Sequence, residues 1–336
     1  KAYGLLLQSP DDRGGVVDLR PAIERAHAKG LLVAVATDLL ALTLIGAVWA
    51  LTFPLTKIAV LGGYRSFGII FWSSVIATVV LGTIVVWRGI GLPTHRAALQ
   101  RYLFVALIGT VLPSAATYTA AEHLPAGVIA VCMAIIPIVA FPLAIAFGLE
   151  QPSLRRFSGL LLGCLGVLLI VLPDASLPDP SKAIFILLAL LSVLFYAAEG
   201  VVLGKIGRSG LDPAQLMLGA FILSSVLSLP IALMTGTFIV PRATIGAAGI
   251  AVVLSGLANV VAYVGYVWII GRGGAVFAGQ VSYIVTGFSI AWSIALLGEN
   301  YSAWVWGAVV VIFAGLFMTQ PRQTAATDAD MRAPAR

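Results

Sequence analysis

The sequence predicts an all-α polytopic membrane protein. Ten transmembrane helices form two inverted-topology five-helix repeats, behind a short soluble βαβ-like N-terminal appendage. Three observations lead there. The chain is 60% hydrophobic and only 10% charged, with a mean hydropathy of +1.04. A soluble domain covers itself with roughly one-quarter charged residues, and this chain lacks them. Its apolar residues fall into ten runs, each near the ~20 residues a helix needs to cross the hydrocarbon. The second five runs repeat, in order, marks carried by the first five.

The elements follow in order. Upstream of residue 45, YGLLLQSP, the charged DDRGGVVD, LRPAIERAHAKG and LLVAVAT read as strand, loop, helix and strand. The first repeat, 45–173, holds spans at 41–60 (its start overlapping the appendage), 67–87, 102–121, 125–148 and 156–173. The second, 183–320, holds spans at 183–204, 213–235, 245–270, 274–297 and 302–319. Breakers and charge mark the joints, as in LGGYRSF, RGIGLPTHR, PDASLPDPSK and GKIGRSGLDP. GRGG at 271–274 leaves only a tight turn between the eighth and ninth spans. Residues 321–336 read as a disordered cytoplasmic tail.

Lys and Arg orient the bundle. With the amino terminus inside, the inner loops and tail hold Arg88, Arg96, Arg101, Arg155, Arg156, Lys205, Arg208, Arg272, Arg322, Arg332 and Arg336. The outer loops hold only Arg65, Lys182 and Arg242. That bias places both termini in the cytoplasm and the chain in the inner (plasma) membrane as a multi-pass protein. The formal charge of +6 therefore records topology. Its basic residues form no stripe, so no nucleic-acid partner is expected. Partners are the lipid bilayer and a small molecule; oligomeric state stays open, a homodimer included.

The repeat is visible directly. Residues 126–150 lie without a gap over 275–299, ending in Glu150 and Glu299. WALT at 49–52 lies over YAAE at 196–199, placing Trp49 on Tyr196 and Thr52 on Glu199. An odd number of spans per unit turns the second copy over, and the substrate site of such repeats lies at midplane between the halves.

Candidate residues follow from depth. Glu199 sits inside the sixth span, where an ionisable group is a functional candidate by default. It is the proton-coupling candidate; the alternative is a side chain reaching the interface beside Lys205 or Arg208. A polar and aromatic set lies near mid-depth: Trp49, Phe53, Thr117, Tyr118, Asn259, Tyr263, Gln280, Tyr283 and Thr286. As a cavity lining it combines aromatic walls with few polar groups, the make-up of a small-molecule site. Lys57, near the outer end of the first span, reads as snorkelling. Glu150 and Glu299 read as loop caps, and Gly159, Gly163 and Gly166 as a close-packing face. Cys132 and Cys164 lie in apolar runs and behave as small hydrophobes. His27, His95 and His123 are far apart, so no metal cluster is read.

Four stretches carry a resemblance: GAVWALTFPLTKIAVLGG at 46–63, PAGVIAVCMAIIP at 125–137, GLEQPSLRRFSGLLLGCLGVLLIV at 148–171 and LLGENYSAWVWGAVVVIFAGLF at 296–317. Over about residues 41–320 the chain resembles the EamA-type members of the drug/metabolite transporter superfamily. One departure is Pro137, whose counterpart in the ninth span is Thr286. The resemblance implies a secondary transporter, often an exporter, that moves small organic metabolites by alternating access, with no cofactor and no enzymatic activity. Only Lys57 approaches midplane as a cation, which disfavours a sugar-nucleotide or phosphate-ester exchanger. Amino acids or amine-like compounds suit Glu199 and the aromatics; a non-transporting membrane scaffold is the other reading.

Residues 3–44 resemble instead a segment of the glycine-cleavage-system P-protein, a pyridoxal-phosphate glycine decarboxylase. The resemblance places Asp38 where an Asp pairs with the cofactor's pyridine nitrogen. It stops near Leu44–Gly46, and no cofactor-lysine segment follows. Residues 1–44 therefore read as a truncated fragment, from a gene fusion or a gene-model artefact.

Overall fold

The computed structural model describes residues 4–7, 25, 32–171, 179–207, 210–240, 246–278 and 281–319. Strands β1 (Gly4–Leu7) and β2 (Leu32–Val35) pair in parallel, Gly4 opposite Leu32. The helix expected between them lies outside the described residues, apart from Arg25.

The rest is helical. Among the described residues, seven helices are long and apolar enough to cross a membrane, and two shorter apolar ones follow at Val281–Leu297 and Ala303–Met318. The first span is not one helix. The membrane-length stretch, Leu40–Leu61, agrees with the expected 41–60; the helix itself begins at Ala36 and is interrupted between α1 (Ala36–Ala50) and α2 (Thr52–Leu61). Pro54 explains the break: it has no N–H for the carbonyl of Ala50, and its ring crowds that carbonyl. In lipid the freed carbonyls need other donors. Ser289 Oγ donates to Ala50 O at 3.4 Å and Trp292 Nε1 to Ala47 O at 3.1 Å, while Thr52 Oγ1 donates to Trp49 O at 2.7 Å.

Helix α3 spans Ser66–Trp87. The third span comprises α4 (Arg96–Phe104), a wide π-helical segment (Val105–Val111) and α5 (Leu112–His123). Pro113 offers no N–H to the carbonyl of Gly109, so the regular ladder cannot run through this point. The fourth span breaks likewise before Pro137, into α6 (Ala126–Met133) and α7 (Ile136–Ala146). Helix α8 is Leu154–Val171; a 3₁₀ turn, Pro180–Phe185, leads into α9 (Ile186–Ile206). Asp212 and Gln215 form a capping box at the start of α10 (Pro213–Met234), satisfying donors at both ends of the first turn.

The eighth span departs from expectation. Helix α11 runs from Ala247 through the GRGG sequence to Ala278. In hydrocarbon a continued helix keeps its own hydrogen bonds, whereas a turn must find new ones, so glycine alone does not end it. The ninth and tenth spans are α12 (Val281–Leu297) and α13 (Ala303–Thr319).

The packing has a twofold pattern. Helix α8 lies along α13 and α3 along α10. The α1–α2 helix packs on α11 and α12, as α9 packs on α5 and on α6–α7. Exchanging the halves maps the α8–α13 and α3–α10 pairings onto themselves and the contacts of α1–α2 onto those of α9. At the α8–α13 seam the backbones touch: a Cβ on Gly315 would stand 2.7 Å from the carbonyl oxygen of Gly159. The expected glycine face is thus a packing face, while Leu161, Leu165 and Leu168 of α8 point outward.

Candidate functional site

A cavity of about 470 Å³ lies between the halves, lined from α1–α2, α3, the π segment and α5–α7 on one side and from α9–α12 on the other. The helix breaks help to line it. Trp49, Thr52 and Phe53 flank the α1–α2 break, Gly109 and Thr110 lie in the π segment, and Pro137 follows the α6–α7 break.

The structure brings together Trp49, Phe53, Thr117, Tyr118, Asn259, Tyr263, Thr286 and Glu199 on this one surface. Tyr283 does not join them. Its ring packs edge-on against Phe313 of α13 at 5.1 Å, and its hydroxyl is buried without a hydrogen bond. Gln280 lies outside the described residues. Tyr196 and Tyr266 line the cavity although they were not singled out for it. The signal for Tyr196 was present, since the internal repeat lays it over Trp49. Tyr266 stands one helical turn after Tyr263, so the same face carries both.

The aromatic wall is continuous. The Trp49 ring lies 5.5 Å from Tyr263 and 5.8 Å from Tyr266, and Phe221 meets Tyr263 edge-on at 6.5 Å. Several polar groups at the cavity are engaged internally. Thr117 Oγ1 donates to Ser192 Oγ at 2.9 Å, Ser192 donates to Pro113 O at 3.0 Å, and Thr286 Oγ1 donates to Ser282 O at 2.9 Å. Glu199 differs. It makes no ion pair among the described residues, yet its carboxylate is in electrostatic reach of the phenol groups of Tyr196, Tyr263 and Tyr266. Lys205, its expected neighbour at the interface, donates instead to Phe147 O at 2.8 Å and sits over the Phe147 ring. Arg208 lies outside the described residues.

One end of the bundle is closed by two charges. Lys57 does not snorkel: its Nζ donates to Ala121 O at 2.6 Å and Leu124 O at 2.9 Å, satisfying carbonyls at the end of α5. Glu299, as expected of a cap, accepts from Ala126 N at 2.8 Å and Gly127 N at 3.3 Å, the first donors of α6, and from the Tyr301 hydroxyl. Residues from both halves thereby clamp one corner, above a small cavity of about 210 Å³ that also touches His123, Asp179 and Lys182. At the other end Glu150 pairs with Arg156 at 2.7 Å, while Arg155 bonds Phe317 O at 3.1 Å.

Comparison with known proteins gives two unlike results. The EamA-like transporter family matches residues 37–172 and again residues 183–320. A crystal structure superposes with a TM-score of 0.58 at 17% identity, over 82% of this chain and 95% of that chain, which shows a shared fold. Short stretches match glycine dehydrogenase (decarboxylating): 60% identity over 47 residues with the Stenotrophomonas maltophilia K279a protein, and 48% over 69 residues with the second such protein of Pseudomonas aeruginosa PAO1. These matches cover 14% and 20% of this chain and only 5% and 7% of those enzymes.

Proposed function

The chain belongs to the EamA-like transporter family, which is a drug/metabolite transporter family, and on that premise we propose that it is a secondary carrier exporting amino acids or amine-like metabolites by alternating access. It spans the inner membrane ten times, both termini cytoplasmic, as two inverted five-helix repeats. The observation that carries the substrate class is Glu199, an acid that meets no countercharge among the described residues and lines an aromatic-walled cavity. A carboxylate held out of water is costly unless a cation or a proton completes it, and an ammonium group does both electrostatically and through the rings.

The cavity lining supports this over a phosphate-ester exchanger. No Lys or Arg lines it among the described residues, and Lys57, the nearest candidate, is held by two carbonyls. A passive scaffold gives no reason to keep an unpaired Glu199 there. Uptake of radiolabelled amino acids and amines into proteoliposomes separates these readings. Saturable uptake of a cationic or zwitterionic compound is expected; uptake of phosphate esters alone, or of nothing, overturns the proposal.

A further inference from the structure

The space left by glycine at position 109 is filled by one neighbour. A Cβ there would collide with the carboxylate carbon and both oxygens of Glu199, the farthest of the three at 2.7 Å. By contrast, Gly200 and Gly204, on the same helix as Glu199, have nothing near their absent Cβ. Gly109 is buried within the π segment, the one stretch of the third span whose ladder is widened, and that segment packs directly on α9. Such widened turns recur at functional sites. Three features therefore converge: a wide helical turn, a missing side chain and the cavity's acid, which makes no ion pair among the described residues.

We propose that Gly109 is a positioning residue for Glu199. Its bare Cα is a seat that holds the carboxylate against the wall, leaving room for one ammonium group between the acid and the rings of Trp49 and Tyr263. This rests on the reading of Glu199 as the substrate-facing acid. The seat also sets selectivity: a compound with a single compact cationic centre fits, whereas an acid pushed into the lumen would occupy that place itself. The group displaced by an added methyl is the far end of a flexible side chain, so Gly109→Ala moves the carboxylate and leaves the helices in place.

Modification by dicyclohexylcarbodiimide, followed by mass spectrometry of the peptide holding residue 199, tests the seat without any knowledge of the substrate. In Gly109→Ala the labelling of Glu199 should rise about tenfold, because the added methyl takes the place of the carboxyl at the wall and drives it into the lumen. In a Glu199→Asp background, whose shorter side chain falls short of the seat, Gly109→Ala should change neither folding nor labelling. Unchanged labelling in Gly109→Ala overturns the proposal, and so does an equal effect in the Asp background. If Gly109→Ala fails to fold, Glu199→Asp must restore folding; failure to do so also overturns it. Protection of wild-type Glu199 by 2-phenylethylammonium, but not by 2-phenylethanol, reads the amine separately. Loss of that protection with the seat intact rejects the substrate class alone.

Discussion

Replacing Glu299 opens the corner it clamps, and the size of the effect follows from its contacts. Its carboxylate satisfies the Ala126 N–H at 2.8 Å, with a weaker contact to Gly127 N at 3.3 Å and a bond from Tyr301. The two backbone N–H groups are orphan donors at the start of a helix. A hydrogen bond to a charged acceptor contributes about 1.5–3 kcal/mol, roughly twice a neutral one. The helix dipole adds about 0.5–1 kcal/mol for the negative charge. Glu299→Gln keeps a neutral acceptor and loses the charge, so it should weaken the clamp by about 1.5 kcal/mol, roughly tenfold in the opening equilibrium. Glu299→Ala also strands the Ala126 N–H, while Gly127 N keeps the Tyr301 hydroxyl at 3.1 Å, and should cost about 3 kcal/mol, more than a hundredfold. The assay is labelling of Leu124→Cys, a position buried at this corner, by a small water-soluble thiosulfonate in a background lacking Cys132 and Cys164. When opening is fast relative to labelling, the rate reports the open population. Rates of wild type, Gln and Ala should rise in that order. If all three label alike, Glu299 is not a clamp and the reasoning from its contacts is wrong.

Two further substitutions probe the scaffold. Gly315→Leu places a side chain against the Gly159 carbonyl, which backbone cannot vacate; it should destabilise by about 3 kcal/mol, read as a lower thermal unfolding midpoint. Gly307→Leu on the same helix meets nothing within 4 Å and should leave the midpoint unchanged; equal effects would refute the packed seam. Pro54→Ala returns an N–H to the Ala50 carbonyl and should stabilise α1–α2 by about 1 kcal/mol while slowing substrate counterflow. An unaltered counterflow rate would mean that the break is not a working hinge.

The membrane class and the paired halves were legible because lipid imposes one rule on every residue of a span: apolar outside, backbone bonds inside. Gly159, Gly163 and Gly166 as a packing face were legible too, since that needs only helical spacing; Glu299 read as a cap from its place in a joint, although its partners Ala126 and Gly127 stand 173 and 172 residues away. What escaped depends on contacts distant in sequence. Pro54 is plain to see, but whether it kinks or splits a helix depends on donors such as Ser289, which lies 239 residues from the Ala50 carbonyl it meets. Lys57 looked like a snorkelling cation because its carbonyl acceptors stand 64 and 67 residues further on. Tyr283 and Thr286 share a depth, yet the rotation of α12 against α13 turns one to Phe313 and the other to the cavity. No sequence period fixes that rotation. Gly109 looked like any small membrane residue, because the carboxylate that requires it is carried by α9.

We propose that the cavity around Glu199 carries substrate across the membrane and that Glu199 couples this movement to protons. Reconstituted wild type and Glu199→Gln should be compared with a radiolabelled amine that the wild type transports, first under an imposed pH gradient and then in exchange for unlabelled amine at equal pH. Glu199→Gln fixes the site in a form that cannot gain or lose a proton. It should abolish the gradient-driven flux and spare the exchange. Normal flux of the Gln variant across the pH gradient would contradict the account, leaving Glu199 as a cavity residue without a role in coupling.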